Sequence, residues 1–228
     1  MIIFATGSSS SLAQEVLSSL SKKGYKIFGT YNKNKPKKLL KNKKIKLFKL
    51  DITSERQLKK TLKKVRLINK NITLLNFVVF NEDRLFVNEN LKNINKNFQI
   101  NIKSHINLVK TFLPIMIRNK FGRIIHFSSV IHGETGTSLY SASKSYLEGF
   151  SAVLAKEYAG FNITSNILSL GYFNYGLWDK LSAKLKKKRL DQIPSKKLGK
   201  PVNIANAIDF IIRSDYVNKS IIKVDGGI

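Results

Sequence analysis

The sequence predicts a single α/β domain, a doubly wound sheet of about seven parallel strands with helices on both faces. Three observations predict it. Apolar runs of strand length recur along the chain, stripes with helical spacing separate them, and 228 residues suffice for one such core without a second unit. The first strand is IIFA (2–5), which runs into Thr6-Gly7 and a helix with Leu12, Val16, Leu17 and Leu20 on one face. KIFG (26–29) is the second strand, followed by a lysine-rich loop or short helix over 32–44. IKLFKL (45–50) is the third, with Leu58, Leu62 and Val65 marking the helix after it. TLLNFVV (73–79), RIIHF (123–127), ITSNIL (163–168) and SIIKV (220–224) supply the remaining four, and Ile204, Ala207, Ile208 and Ile211 form the last helical stripe. This is the pattern of a Rossmann domain over 1–228. The stretch 174–199, with Trp178 and KLKKKR, interrupts the rhythm beyond the carboxyl end of a strand. Ligands bind there in this architecture, so the stretch reads either as a substrate lid or as a solvated basic helix.

Composition removes several kinds of chemistry. No cysteine is present, so disulfides and thiolate sites are excluded, and the three histidines, at 105, 126 and 132, lack metal-ligand spacing; no metal is expected. No apolar run is long enough for a membrane span, and the short apolar opening leaves no room for a secretory signal; a soluble, cytoplasmic protein without a membrane partner is expected. The formal net charge of +27 raises the question of a polyanion partner. Only seven of the 41 basic residues are arginine, and the chain is rich in asparagine and isoleucine, as AT-rich codons filling surface positions would make it. The lysines do not alternate with exposed aromatics, so nucleic acid is not the expected partner.

Tyr140 and Lys144, in YSASK, are four positions apart and share a helix face. A phenol titrates near pH 10 and is a poor acid or base at neutrality; an adjacent ammonium is expected to lower that value into the working range. Upstream, a strand ending in Ser128-Ser129 sets a hydroxyl at the carboxyl edge of the sheet, within reach of Tyr140.

These pieces occur in a recognisable order: TG at 6–7, LDIT at 50–53, NFQIN at 97–101, GRIIHFSSV at 122–130, YSASK at 140–144, NILSLG at 166–171, IPSKKLGKP at 193–201 and VDGG at 224–227. The ordered set resembles the short-chain dehydrogenase/reductases over essentially the whole chain. The resemblance implies hydride transfer between a nicotinamide cofactor and a ketone or secondary alcohol. Tyr140 matches the catalytic acid/base, Lys144 its partner and a holder of the nicotinamide ribose, Ser129 the carbonyl-binding serine and Asn101 the asparagine that supports a proton relay. It further implies cofactor contacts at Thr6, Gly7, Ser9, Ser10, Ser11, Leu12, Tyr31, Asn32, Lys33, Asp51, Ile52 and Gly171, and a substrate pocket at Ser129, His132, Tyr172, Phe173 and Trp178. The helices holding Asn101 and Tyr140 commonly pack across a two-fold axis in the family, implying a homodimer or homotetramer.

The chain departs from the family at five places. Ser11 replaces the glycine nearest the pyrophosphate, where its hydroxyl either crowds a phosphate or bonds to it. Asn76-Phe77-Val78-Val79 replaces Asn-Asn-Ala-Gly, and the Ser129–Tyr140 spacing is short, which leaves Ser128 as a rival for the carbonyl-binding role. Leu170 and Tyr175 replace a proline and a threonine at the nicotinamide end. Tyr31 takes the place where NAD-preferring members have a carboxylate, and Lys33 and Lys35 follow, so NADP is favoured over NAD. Among substrates the spacing of the last two motifs resembles the 3-oxoacyl carrier-protein reductases, and a basic surface suits an acidic carrier protein. Sugar, polyol or other small-alcohol dehydrogenases remain the alternative, and a non-catalytic nucleotide- or polyanion-binding protein is the rival from another class.

Overall fold

A computed structural model describes residues 1–66, 71–130 and 133–228. Strands β1 (Ile2–Thr6), β2 (Lys26–Tyr31), β3 (Ile45–Lys49), β4 (Ile72–Asn76), β5 (Gly122–Ser129), β6 (Ile163–Leu170) and β7 (Ile221–Val224) form one sheet in the order β3-β2-β1-β4-β5-β6-β7, every pair parallel. Helices α1 (Ser11–Lys22), α2 (Glu55–Arg66), α3 (Leu91–Asn97), α4 (Ser104–Arg118), α5 (Ser138–Glu157), α6 (Ala183–Gln192) and α7 (Pro201–Arg213) are the described α-helices. None of the described helices is long and apolar enough to cross a membrane.

The alternation of side chains along β1 divides the core. Ile3 and Ala5 join Val16, Leu17 and Leu20 of α1 and Ile204, Ile208 and Ile211 of α7 on one face. Ile2 and Phe4 join Leu58 of α2, Leu108, Phe112 and Ile115 of α4 and Leu154 of α5 on the other. Both faces of β1 are therefore dry, and each fully buried large side chain contributes about 1.5–3 kcal/mol relative to exposure. In the lysine-rich stretch after β2, a 3-10 turn at Lys37–Leu39 buries Leu39 and leaves the lysines in water.

Strand β4 ends earlier than its apolar run predicts. Asn76 closes it: its Oδ1 accepts the Val78 N–H at 3.1 Å and the Thr6 hydroxyl, which turns the chain out of the sheet. Phe77 then stacks on Phe127 with ring centroids 4.4 Å apart, and Phe77 and Val78 continue the core as a loop. Parallel register sets Thr6 beside Asn76 and Ser129 beside Leu170, so the carboxyl ends of the central strands meet at one edge. The strand order reverses between β1 and β4, and a crevice opens there.

Candidate active site

The crevice is a cavity of about 710 Å³ that runs from the Gly7 turn to Tyr140 and is roofed by residues 172–189. That volume lies within the usual range for small-molecule sites, about 300–1,000 Å³. Its wall includes Gly7, Ser9, Ser10, Ser11, Leu12, Tyr31, Asn32, Lys33, Asp51, Ile52, Ser129, Tyr140, Lys144, Gly171, Tyr172, Phe173 and Trp178. Most of the predicted site residues thus share one surface. Thr6 stands just behind it, buried and tied to Asn76. His132 lies outside the described residues, and Asn101 is placed behind the wall.

The four serines after Gly7 have four different jobs. Gly7 adopts φ +70°, and a Cβ there would lie 2.8 Å from the Val78 nitrogen, so only glycine fits the turn. Ser8 is buried and bonds the Ala5 carbonyl at 3.2 Å. Ser9 donates to the Asn34 carbonyl at 2.5 Å, which directs its hydroxyl to the loop after β2. Ser10 is the N-cap of α1 and accepts the Ala13 N–H at 3.1 Å. Ser11 Oγ accepts the Gly176 N–H at 3.0 Å. The first amides of α1, at Ser11 and Leu12, have no helical acceptor and border the cavity, an anion-binding arrangement. Asp51 holds the turn after β3, its Oδ1 accepting from Thr53 N and Oγ1 at 3.0 and 2.7 Å, and Ser54 rather than Asp51 caps α2.

At the other end, Tyr140 and Lys144 lie one turn apart on α5, with Lys144 Nζ 5.4 Å from the centre of the Tyr140 ring. A side-chain hydrogen bond links Ser129 to the Tyr140 phenol. Lys144 Nζ donates to the Phe127 carbonyl at 2.7 Å, and burial lowers its pKa to about 8. The expected lowering of the Tyr140 pKa does not occur. Burial raises it, the Ser129 hydrogen bond opposes that, and the Asp83 carboxylate raises it further. Tyr140 is a protonated phenol at neutral pH, the form that can give a proton away.

Asn101 sits in a π-helical turn, Phe98–Lys103, between α3 and α4. Its Oδ1 accepts the Phe80 N–H at 2.8 Å and its Nδ2 donates to the Phe80 carbonyl at 2.7 Å and towards Ser143 Oγ at 3.4 Å. It clasps the loop after β4 and reaches α5 one residue short of Lys144. Behind it, His105 and His126 are buried with ring centroids 5.9 Å apart; burial, with the Lys144 charge adding, lowers His126 to about 4, and burial holds His105 well below its ordinary value.

The roof has an anchor that motif reading missed. Arg189 of α6 pairs with Glu134 at 2.8 and 3.2 Å and bonds the Tyr172 hydroxyl, fastening α6 to the loop after β5. The basic run KLKKKR gave no sign that its last member turns inward, because its partner lies 55 residues away. Trp178 packs on Tyr172 at 5.8 Å and with Ile193, Leu181, Leu190, Leu198 and Ile228. Gly171 permits a close crossing, since a Cβ there would lie 2.6 Å from Asp225 Cα.

Comparison with known proteins fits this arrangement. The family profile described as "Enoyl-(Acyl carrier protein) reductase" matches residues 7–228. The chain is 34% identical over 217 residues to a 3-oxoacyl-[acyl-carrier-protein] reductase of Buchnera aphidicola subsp. Baizongia pistaciae, covering 92% of this chain and 84% of the relative. It is 32% identical over 184 residues to the Thermotoga maritima protein of the same name, covering 78% and 75%. Among solved structures, "ElxO with NADP Bound" superposes with a TM-score of 0.90 at 20% identity over 99% of this chain and 97% of that one, a likeness of fold.

Proposed function

The chain belongs to the short-chain dehydrogenase/reductase family, and from that premise we propose that it uses NADPH to reduce 3-oxoacyl thioesters presented by an acidic carrier protein. The observation that carries the reading is the Ser129–Tyr140 hydrogen bond beside buried Lys144, on the wall of a cavity that reaches the first turn of α1. A dinucleotide fits the residues present: Ser11 and Leu12 amides for the pyrophosphate, Asp51 and Ile52 for the adenine end, and Lys144 and Gly171 towards the nicotinamide. Tyr31, Asn32 and Lys33 offer no carboxylate to repel a 2′-phosphate, and Lys33 offers a positive charge; this supports NADP over NAD.

When bound, the reduced nicotinamide supplies the hydride. Tyr140 Oη gives its proton to the carbonyl oxygen as negative charge gathers there, and Ser129 Oγ donates the second hydrogen bond to that oxygen. The Lys144 ammonium stabilises the phenolate left behind. The roof, fastened by Arg189 and Glu134, keeps water from the reacting centre. The names of the relatives support the thioester substrate, and the exposed basic face of α6, with Lys184, Lys187 and Lys188, suits an acidic carrier. Exposed Phe98 and Val153, near α4 and on α5, support assembly into a dimer or tetramer.

The test follows NADPH absorbance with a 3-oxoacyl thioester against a panel of sugars, polyols and simple ketones. Turnover of the thioester, with kcat reduced about 10²–10⁴-fold by Tyr140→Phe, is expected. Full turnover by that variant would show that Tyr140 is not the acid, and turnover of polyols alone would displace the thioester.

A further inference from the structure

Ser11 makes a contact that glycine cannot. Its Oγ accepts the Gly176 N–H at 3.0 Å, a link across 165 positions of sequence between the phosphate turn and the roof. Gly176, at φ +69°, opens the 3-10 turn Gly176–Lys180 that carries Trp178, and the same amide is shared with Asp179 Oδ2 at 3.0 Å. The roof is thus held at two ends, by Ser11 on the cofactor side and by the Arg189–Glu134 pair on the substrate side. Ser11 has an ordinary negative φ at the start of α1, so the helix tolerates the side chain without backbone strain.

We propose that Ser11 is a positioning residue: it latches the segment 174–182 onto the phosphate turn and couples the roof to occupancy of the dinucleotide site. The coupling rests on the nicotinamide dinucleotide reading; the latch itself does not. While Oγ accepts from Gly176, the hydroxyl proton is left to donate to an anionic oxygen at the α1 terminus. Donation to an anion polarises the hydroxyl and makes Oγ a better acceptor, so a bound phosphate tightens the latch. Reciprocally, a closed latch favours the phosphate by the same factor. A glycine at this position would present the same amide to the cofactor but leave the roof held only from the substrate side.

Trp178 is the single tryptophan of the chain, so acrylamide quenching of its fluorescence reads the roof directly. In the cofactor-free protein, Ser11→Ala is expected to open the roof about fivefold more often, the factor of one neutral hydrogen bond, and so to raise quenching. Ser11→Thr keeps the hydroxyl and is expected to retain the wild-type value. NADPH should then protect Trp178 in the wild type and in Ser11→Thr, with little further effect in Ser11→Ala. Equal quenching of wild type and folded Ser11→Ala without cofactor would overturn the latch. If Ser11→Ala does not fold, Ser11→Gly takes its place: raised quenching is expected, and quenching equal to the wild type would overturn the latch. NADPH that leaves the melting temperature of the wild type unchanged would sink the dinucleotide reading and the coupling with it, while the cofactor-free comparison still judges the latch.

Discussion

Lys144 and the two buried histidines make the stability of the protein depend on pH in a way that single residues explain. Burial lowers Lys144 to about 8, whereas the unfolded chain holds that proton until about pH 10.4. Between these values the unfolded state binds the extra proton, so the contribution of Lys144 to stability rises with pH across the window, and the cost of burying its charge is complete below it. Urea denaturation from pH 7 to 10 is expected to show the wild type gaining on Lys144→Met by about 2–3 kcal/mol. His126, lowered to about 4, works in the acid range with the same sign. The unfolded chain takes up a proton below about pH 6.5 that the native ring refuses, so stability falls as pH drops from 6.5 towards 4. His126→Phe, beside the Phe150 ring 5.8 Å away, should flatten that slope in thermal melts. The raised pKa of Tyr140 has a different consequence: the phenol rests in its proton-donating form, which suits reduction.

Two positions at the ends of elements have little freedom to change. Gly171 follows β6 where the chain passes Asp225, and a methyl group there meets backbone, so Gly171→Ala should cost about 1–3 kcal/mol in denaturant melts. Ser10→Ala removes the cap of α1 and should cost about 1 kcal/mol while leaving the first two amides in place. All seven strands were legible in the sequence because a parallel sheet buried on both faces writes itself as apolar runs. The end of β4 was not, since Phe77 and Val78 are as apolar as the strand and only the Asn76 side chain reveals the turn. Helix α3 escaped as well: LKNINKN has no apolar stripe, and its cap, Asn90, is one asparagine among many. Within the site, the Tyr140–Lys144 pair was legible because both residues lie on one helical turn. The partners of Ser11 and Arg189 were not, because the fold alone brings segments 165 and 55 residues apart together.

For the whole molecule, the charge of +27 is a long-range field that acts on any acidic partner. With a carrier-borne substrate, KM is expected to rise several-fold as salt goes from about 0.01 to 0.15 M, where the Debye length falls from about 30 to 8 Å. With a small uncharged thioester it should stay level, and parallel salt curves for the two would argue against carrier recognition by charge. The parallel sheet also makes the two ends of the chain unequal as handles. Ile2 enters β1 at the edge of the sheet opposite the cavity, and Met1 is 41% exposed, so a fusion or surface linkage there is carried on the far side of the molecule. Ile228 instead packs against the Trp178 cluster under the roof. A protein immobilised through Met1 should therefore turn over as it does in solution, whereas one tethered through Ile228 should do so with its roof wedged.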